Sequence, residues 1–239
     1  MSWLMLGDAI AFPKAREGWL RTIAVGGLLF VTSVFVLPLL FLLGYSVRVI
    51  RTGVAGETTP PTFEKWGDLL VSGLKLFTIQ LIYAIVALFS LTFSALCLAL
   101  LRPELAQAAQ TDAQTPEAVS NMQFSAPELT VVLVAYLLLF LIAYVSLAAT
   151  ARFAEEDRFK AAFEFRTVVR TALTSEFFVG FVLFLAVGLV LGTVGIMLSW
   201  MIVGLFLIFY TYVVASYLIG RGYGNANKTD NPQTARSGT

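Results

Sequence analysis

The sequence predicts an all-α, polytopic integral membrane bundle of about six transmembrane helices with short interfacial helices. Three observations carry that prediction. Of 239 residues, 58% are hydrophobic and only 13% are charged, against about 45–50% apolar and about 25% charged in soluble domains. Four long stretches contain no Asp, Glu, Lys or Arg. The cations that remain fall almost entirely on one side of the helices those stretches would form.

The uncharged stretches are Thr22–Val47, Leu76–Leu101, Leu129–Ala151 and Phe177–Gly220. A spanning helix needs about 20 apolar residues. The second and third stretches each fit one span. The fourth is long enough for two, with Gly192-Thr193-Val194-Gly195 as the turn, since glycines punctuate an apolar run. The first stretch makes one comfortable span or two short ones. Pro38 lies in its middle, and proline suits the first turn of a new helix.

Charge asymmetry selects the hairpin. If the first stretch breaks near Pro38, all but one of the 16 Lys and Arg residues lie on one side, the exception being Arg102. Cytoplasmic segments carry the Lys/Arg excess, so the rich side and both termini are expected inside a cell membrane. The expected spans are approximately 20–37, 38–55, 75–101, 127–152, 175–193 and 195–220, within a single transmembrane domain over 1–221. The N-terminus lacks the short apolar run and small-residue cleavage site of a secretory signal.

Outside the spans, three segments have amphipathic spacing. Ala11–Trp19 is short and broken by Pro13. Phe63, Trp66, Leu70 and Leu74 recur at helical intervals, as do Phe159, Phe163, Val169 and Leu173. Such helices either lie in the membrane interface or extend tilted spans into the cytoplasm. Length favours the interface for Phe63–Leu74, with a bend at Gly73. A straight helix from there through Leu101 would run about 58 Å at 1.5 Å per residue, far beyond a hydrocarbon core of about 30 Å. Each segment, with the two spans after it, would form one of three weak repeats. Arg102–Ser125 reads as an external polar loop, with Ser125-Ala126-Pro127-Glu128 as a capping box for the next span. Residues 222–239 read as a disordered cytoplasmic tail.

Chemistry-bearing residues are few. There is no histidine and one cysteine, Cys97, which removes the commonest general base and metal ligand and argues against a zinc site. No cofactor, metal, nucleic-acid partner or catalytic constellation is expected, and the chain does not read as an enzyme. The candidate lipid or anion contacts are Arg48 and Arg51. Counted from Pro38, Arg48 is about 15 Å along its helix, where a cation needs water, an acid, a lipid phosphate or a snorkelling path to the headgroups. Lys75 and Glu176 mark where spans meet headgroups. Gln80, Thr92 and Ser94 suit a pore lining or helix–helix hydrogen bonds, and Gly188-Leu189-Val190-Leu191-Gly192 suits close helix approach. Glu155-Glu156-Asp157 reads as a solvated turn.

Three segments then carry a family resemblance: AFPKAREGWLRTIAVGGLLF at the start, GYSVRVIRTGVAGETTPPTFEKWGDLLVSGLKLF from Gly44, and YTYVVASYLIGRGYG near the end. Together they resemble the membrane proteins of domain-of-unknown-function family 4013, over roughly Phe12 to Tyr223. The second is the most specific, with paired arginines, a Gly/Glu linker, Pro-Pro and then Trp-Gly-Asp-Leu. The resemblance implies an archaeal cell membrane and carries no assigned activity. The expectation is a non-enzymatic envelope or assembly component whose partners are membrane lipids, other membrane proteins or copies of itself. A small permease is the alternative.

Topology is directly testable. In a Cys97→Ser background, cysteines at Ser2 and Ser237 should be shielded from an impermeant thiol reagent in intact cells, and one at Thr115 should label. Labelling at Ser2 but not Ser237 would contradict an even number of spans.

Overall fold

A computed structural model describes the backbone of residues 2–101, 125–201 and 203–230, and side chains from Met5 to Lys228 within those segments. Among them are eight α-helices: α1 (Ser2–Ala11), α2 (Trp19–Val31), α3 (Val36–Ala55), α4 (Trp66–Leu101), α5 (Ala126–Glu156), α6 (Phe165–Ala172), α7 (Ser175–Met197) and α8 (Val203–Asp230). Five of them, α3, α4, α5, α7 and α8, are long and apolar enough to cross a membrane. A shorter apolar helix over Trp19–Val34 precedes them. The expected bundle of about six helices is thus five long ones and a short first partner. Most of the expected external loop, and residues 231–239 of the expected tail, lie outside the described residues.

The chain divides into two compact units, Met1–Gln80 with Val145–Thr239, and Leu81–Tyr144. The second contains the later part of α4 and most of α5. Its Leu88, Phe89, Leu133 and Tyr136 are exposed, as lipid-facing side chains would be in a structure without a bilayer. The start of α5 follows its sequence signal: the Ser125 amide donates to Glu128 Oε2 at 2.8 Å, closing half of a capping box.

In the first unit, α2 and α3 form the expected hairpin, but the chain turns before Pro38. Thr32–Val34 tightens into a 3-10 turn, Phe35 is extended (φ −85°, ψ 138°), and Pro38 falls in the first turn of α3. Thr32 and Ser33 hydroxyls donate back to the Leu28, Leu29 and Phe30 carbonyls, and this local capping ends α2 ahead of the proline. Around α8 the core gathers Tyr45, Val49 and Leu69 with Phe209, Val213 and Tyr217. The short α1 adds Ala9 to it, and Phe12 stacks on Tyr217 at 4.0 Å.

Backbones approach closely where glycines meet. A Cβ at Gly44 would lie 1.9 Å from the Leu69 carbonyl oxygen, and one at Gly73 would lie 1.9 Å from that of Leu40. This reciprocal crossing of α3 and α4 corrects the expected bend at Gly73. The glycine is a contact point inside an unbroken helix, and α4 runs on from Trp66 as the extension of its span. The second expected repeat therefore has no separate interfacial helix.

Two further glycine expectations change. α7 continues through Gly192 and Gly195, and the chain turns from Leu198 through Met201. Gly195 is kept helical by packing, since its Cβ would meet Ile208 Cγ1 at 2.7 Å. Gly188 and Gly192, expected at a close approach, have nothing within 4 Å of an added Cβ. A close backbone approach on α7 is instead at Gly180, whose Cβ would lie 2.8 Å from the Gly222 Cα. That contact, and Gly224 against Val54 (2.3 Å from an added Cβ to its carbonyl oxygen), carry α8 through Asp230, past the expected end of the last span.

Gly73→Val should therefore cost about 1–3 kcal/mol or more, read as lost monodispersity and a lower melting temperature in detergent. Gly192→Ala should be neutral or stabilising by up to about 1 kcal/mol, because alanine is the better helix former. Equal effects from the two substitutions would contradict the crossing.

Candidate functional site

The charged segments meet at one end of the first unit. Arg16 reaches the Pro60 carbonyl at 3.4 Å, Arg51 Nε donates to the Ala154 carbonyl at 2.7 Å, and Asn227 donates to Glu155 at 3.0 Å. The start of α2, the ends of α3, α5 and α8, and the α3–α4 linker are thus brought together.

The linker, residues 56–65, has no regular secondary structure. Pro60 and Pro61 lack N–H groups, so its hydrogen-bonding need is weighted towards carbonyls. Side chains meet that need. Tyr45 donates to the Pro61 carbonyl at 3.2 Å and Tyr217 to that of Glu57 at 3.0 Å. Arg48 Nη1 donates to the Thr62 and Glu64 carbonyls at 3.3 and 2.7 Å, and Nη2 to the Lys65 carbonyl at 3.3 Å. Phe63 stacks on Tyr45 at 4.1 Å and packs near Trp66. Arg48 thus anchors a loop, a role the sequence reading did not contain.

Beside this linker opens a cavity of about 610 Å³. Five cations line it: Arg16, Arg48, Arg51, Lys65 and Lys75. Glu64, Asp68 and Asp157 are the acids facing them. Asp157 sits between Arg51 and Lys75, with each N···O distance 3.6 Å. These partners are about half exposed, so each pair is worth well under about 1 kcal/mol. Next to the cavity, Arg152 engages Glu156, Glu155 at 3.6 Å and Glu164 at 2.9 Å. The acidic run read as a solvated turn exposes Glu155 and Asp157, and it also supplies partners for basic residues.

Lys65 (φ 51°) and Asp157 (φ 53°) are the two non-glycine residues with left-handed backbone among the described residues. Both line this cavity. Strained backbone of that kind persists where surrounding contacts hold it, and it clusters at binding sites. Arg48 and Asp68 hold Lys65 from two sides, since the Asp68 amide also donates to the Lys65 carbonyl at 3.0 Å.

Of the residues singled out in the sequence, the structure brings together Arg48, Arg51 and Lys75, and adds Arg16, Lys65 and Asp157. No local pattern links Asp157 to Arg51. Only the tertiary fold does, and the visible signal was no more than an acidic run after a span. The polar residues of the third apolar stretch divide differently. Gln80 donates to Thr150 Oγ1 at 2.8 Å, a helix-to-helix bond, while Thr92 and Ser94 bond carbonyls of their own helix.

Five helices long and apolar enough to cross a membrane define a multi-pass membrane protein. The family model of a protein of unknown function, DUF4013, matches residues 27–202, and the chain belongs to that family. The match includes the linker and Arg48 and Arg51 of α3. It leaves out the opening stretch before residue 27 and the closing one in α8. No curated protein and no solved structure matches the chain.

Arg48→Lys should lower stability. One ammonium cannot reproduce a planar guanidinium that reaches three carbonyls through two nitrogens, and charge-assisted bonds contribute about 1.5–3 kcal/mol when sheltered. With half of the contact exposed, a loss of about 1 kcal/mol is expected in detergent melting. An unchanged melting temperature would show that Arg48 does not anchor the linker.

Proposed function

We propose that this protein is a non-enzymatic component of the cell envelope that holds an anionic group, a lipid headgroup phosphate or carboxylate, at its basic end. The carrying observation is the cavity of about 610 Å³ that assembles Arg16, Arg48, Arg51, Lys65 and Lys75 around left-handed Lys65 and Asp157. Its five cations exceed its three acids, and the cavity adjoins the helix ends where headgroups would lie. Arg51 and Lys75 share one carboxylate, so an incoming anion completes a pairing that is now shared.

The orientation belongs to the same proposal. The basic residues at this end are those that favour the cytoplasmic face, which places the N-terminus and the end of α8 inside. The absence of histidine from the sequence and the use of Gln80 between helices support a packed, non-catalytic bundle over an enzyme.

Native mass spectrometry of protein exchanged into mixed lipid tests the reading. Phosphatidylglycerol should be retained over phosphatidylcholine. Lys65→Gln with Lys75→Gln should weaken that retention about tenfold or more, at about 1 kcal/mol per cation. Competition by inorganic phosphate would indicate a free anion as the ligand. Equal retention of both lipids, with no phosphate effect, would contradict the proposal.

A further inference from the structure

Beyond Asp157, the segment between α5 and α7 does not line the basic cavity, and it has a surface of its own. It begins with a 3-10 turn over Phe159–Phe163, continues as α6, and enters α7 through Thr174, whose hydroxyl accepts from the Phe177 amide at 3.4 Å. α6 presents three distinct faces. Val168, Thr171 and Ala172 are buried against the bundle. Phe165, Val169 and Leu173, four residues apart and so stacked along one line, are 58%, 39% and 80% exposed. Arg166 and Arg170 are exposed beside that line.

The segment's charge is one-sided. Arg158, Lys160, Arg166 and Arg170 are its cations, and Asp157 and Glu164 are its acids. Asp157 pairs with Arg51 and Lys75, and Glu164 turns towards Arg152 at 2.9 Å and Arg158 at 3.4 Å, while Arg166 and Arg170 lie on the exposed flank.

We propose that α6 is a membrane-surface helix that docks on an anionic lipid bilayer, with Phe165, Val169 and Leu173 entering the interface and Arg166 and Arg170 meeting headgroup phosphates. Two features choose lipid as the occupant. The chain enters the apolar helix α7 at Ser175, immediately after Leu173 and Thr174, so connectivity places α6 at the membrane boundary. A short apolar line flanked by arginines is complementary to an anionic surface, which attracts juxtamembrane cations. A partner protein is the competing occupant that the test must exclude.

The full chain carrying Cys97→Ser and a single nitroxide at residue 169 or 173 is placed in nanodiscs. These contain phosphatidylcholine alone or equal parts phosphatidylcholine and phosphatidylglycerol. Oxygen should relax both labels more than a water-soluble nickel chelate does, and the difference should grow with the anionic lipid. Arg166→Gln with Arg170→Gln should abolish that growth, as should high salt on the unsubstituted arginines, a control that does not depend on the variant's folding. A label replacing exposed Glu155 should remain nickel-accessible throughout. Nickel access at 169 and 173 in both membranes would overturn the proposal. So would spin–spin broadening between copies, which would assign the face to a second chain.

Discussion

The Arg48 guanidinium, directed onto the carbonyls of Thr62, Glu64 and Lys65, is the contact on which the rest of the first unit depends. It ties the end of α3 to the start of α4. A linker containing two prolines has more acceptors than donors, and an irregular segment cannot satisfy carbonyls with its own ladder. Tyr45, Tyr217 and Arg16 supply the remaining donors from three other places in the chain. Once the linker is tied, Phe63 stacks on Tyr45, and α4 leaves at the angle that lets Gly73 meet the Leu40 carbonyl and Gly44 meet that of Leu69. The basic cavity lies beside the tied linker and is lined by Arg48, Arg51 and the left-handed Lys65.

The energetics divide by location. Among the helices, apolar packing and close glycine contacts hold α3, α4, α7 and α8 together, since lipid offers little hydrophobic incentive for helix association. Around the α3–α4 linker and the last turns of α5, paired charges and charge-assisted bonds take over. Singly these exposed pairs contribute little. As a set they fix which helix ends adjoin, and so the order of the bundle.

Much of this was legible in the sequence because long uncharged runs have one physical outcome in a membrane. The α2–α3 hairpin could be read from charge asymmetry, and the family from its arginine pair and Pro-Pro linker. What was not legible depended on contacts. Gly73 looked like a hinge and Gly192 like a turn, whereas each is simply helical. A glycine's role is set by what stands opposite it, and Leu40 opposite Gly73 is not visible in the chain order. The break at Phe35 was placed too late because Pro38 is a strong signal, while the Thr32 and Ser33 back-bonding that ends α2 is a weak one. Phe63–Leu74 was assigned to the interface on its apolar spacing and length, yet its glycine is committed to a helix crossing inside a continuous α4. Asp157 was read as solvated, and its pairing with Arg51 and Lys75 was not visible, because an acidic run after a span reads the same with or without partners.

The central claim is that side-chain donors hold the linker in one conformation. Electron paramagnetic resonance of a nitroxide at Thr59, in a Cys97→Ser background, measures this most directly. The account predicts restricted motion that becomes fast when Arg48→Ala is added, with the signal of a label at Leu189 on α7 unchanged. A nitroxide at Thr59 that is already as mobile as a free chain before Arg48 is altered would contradict it.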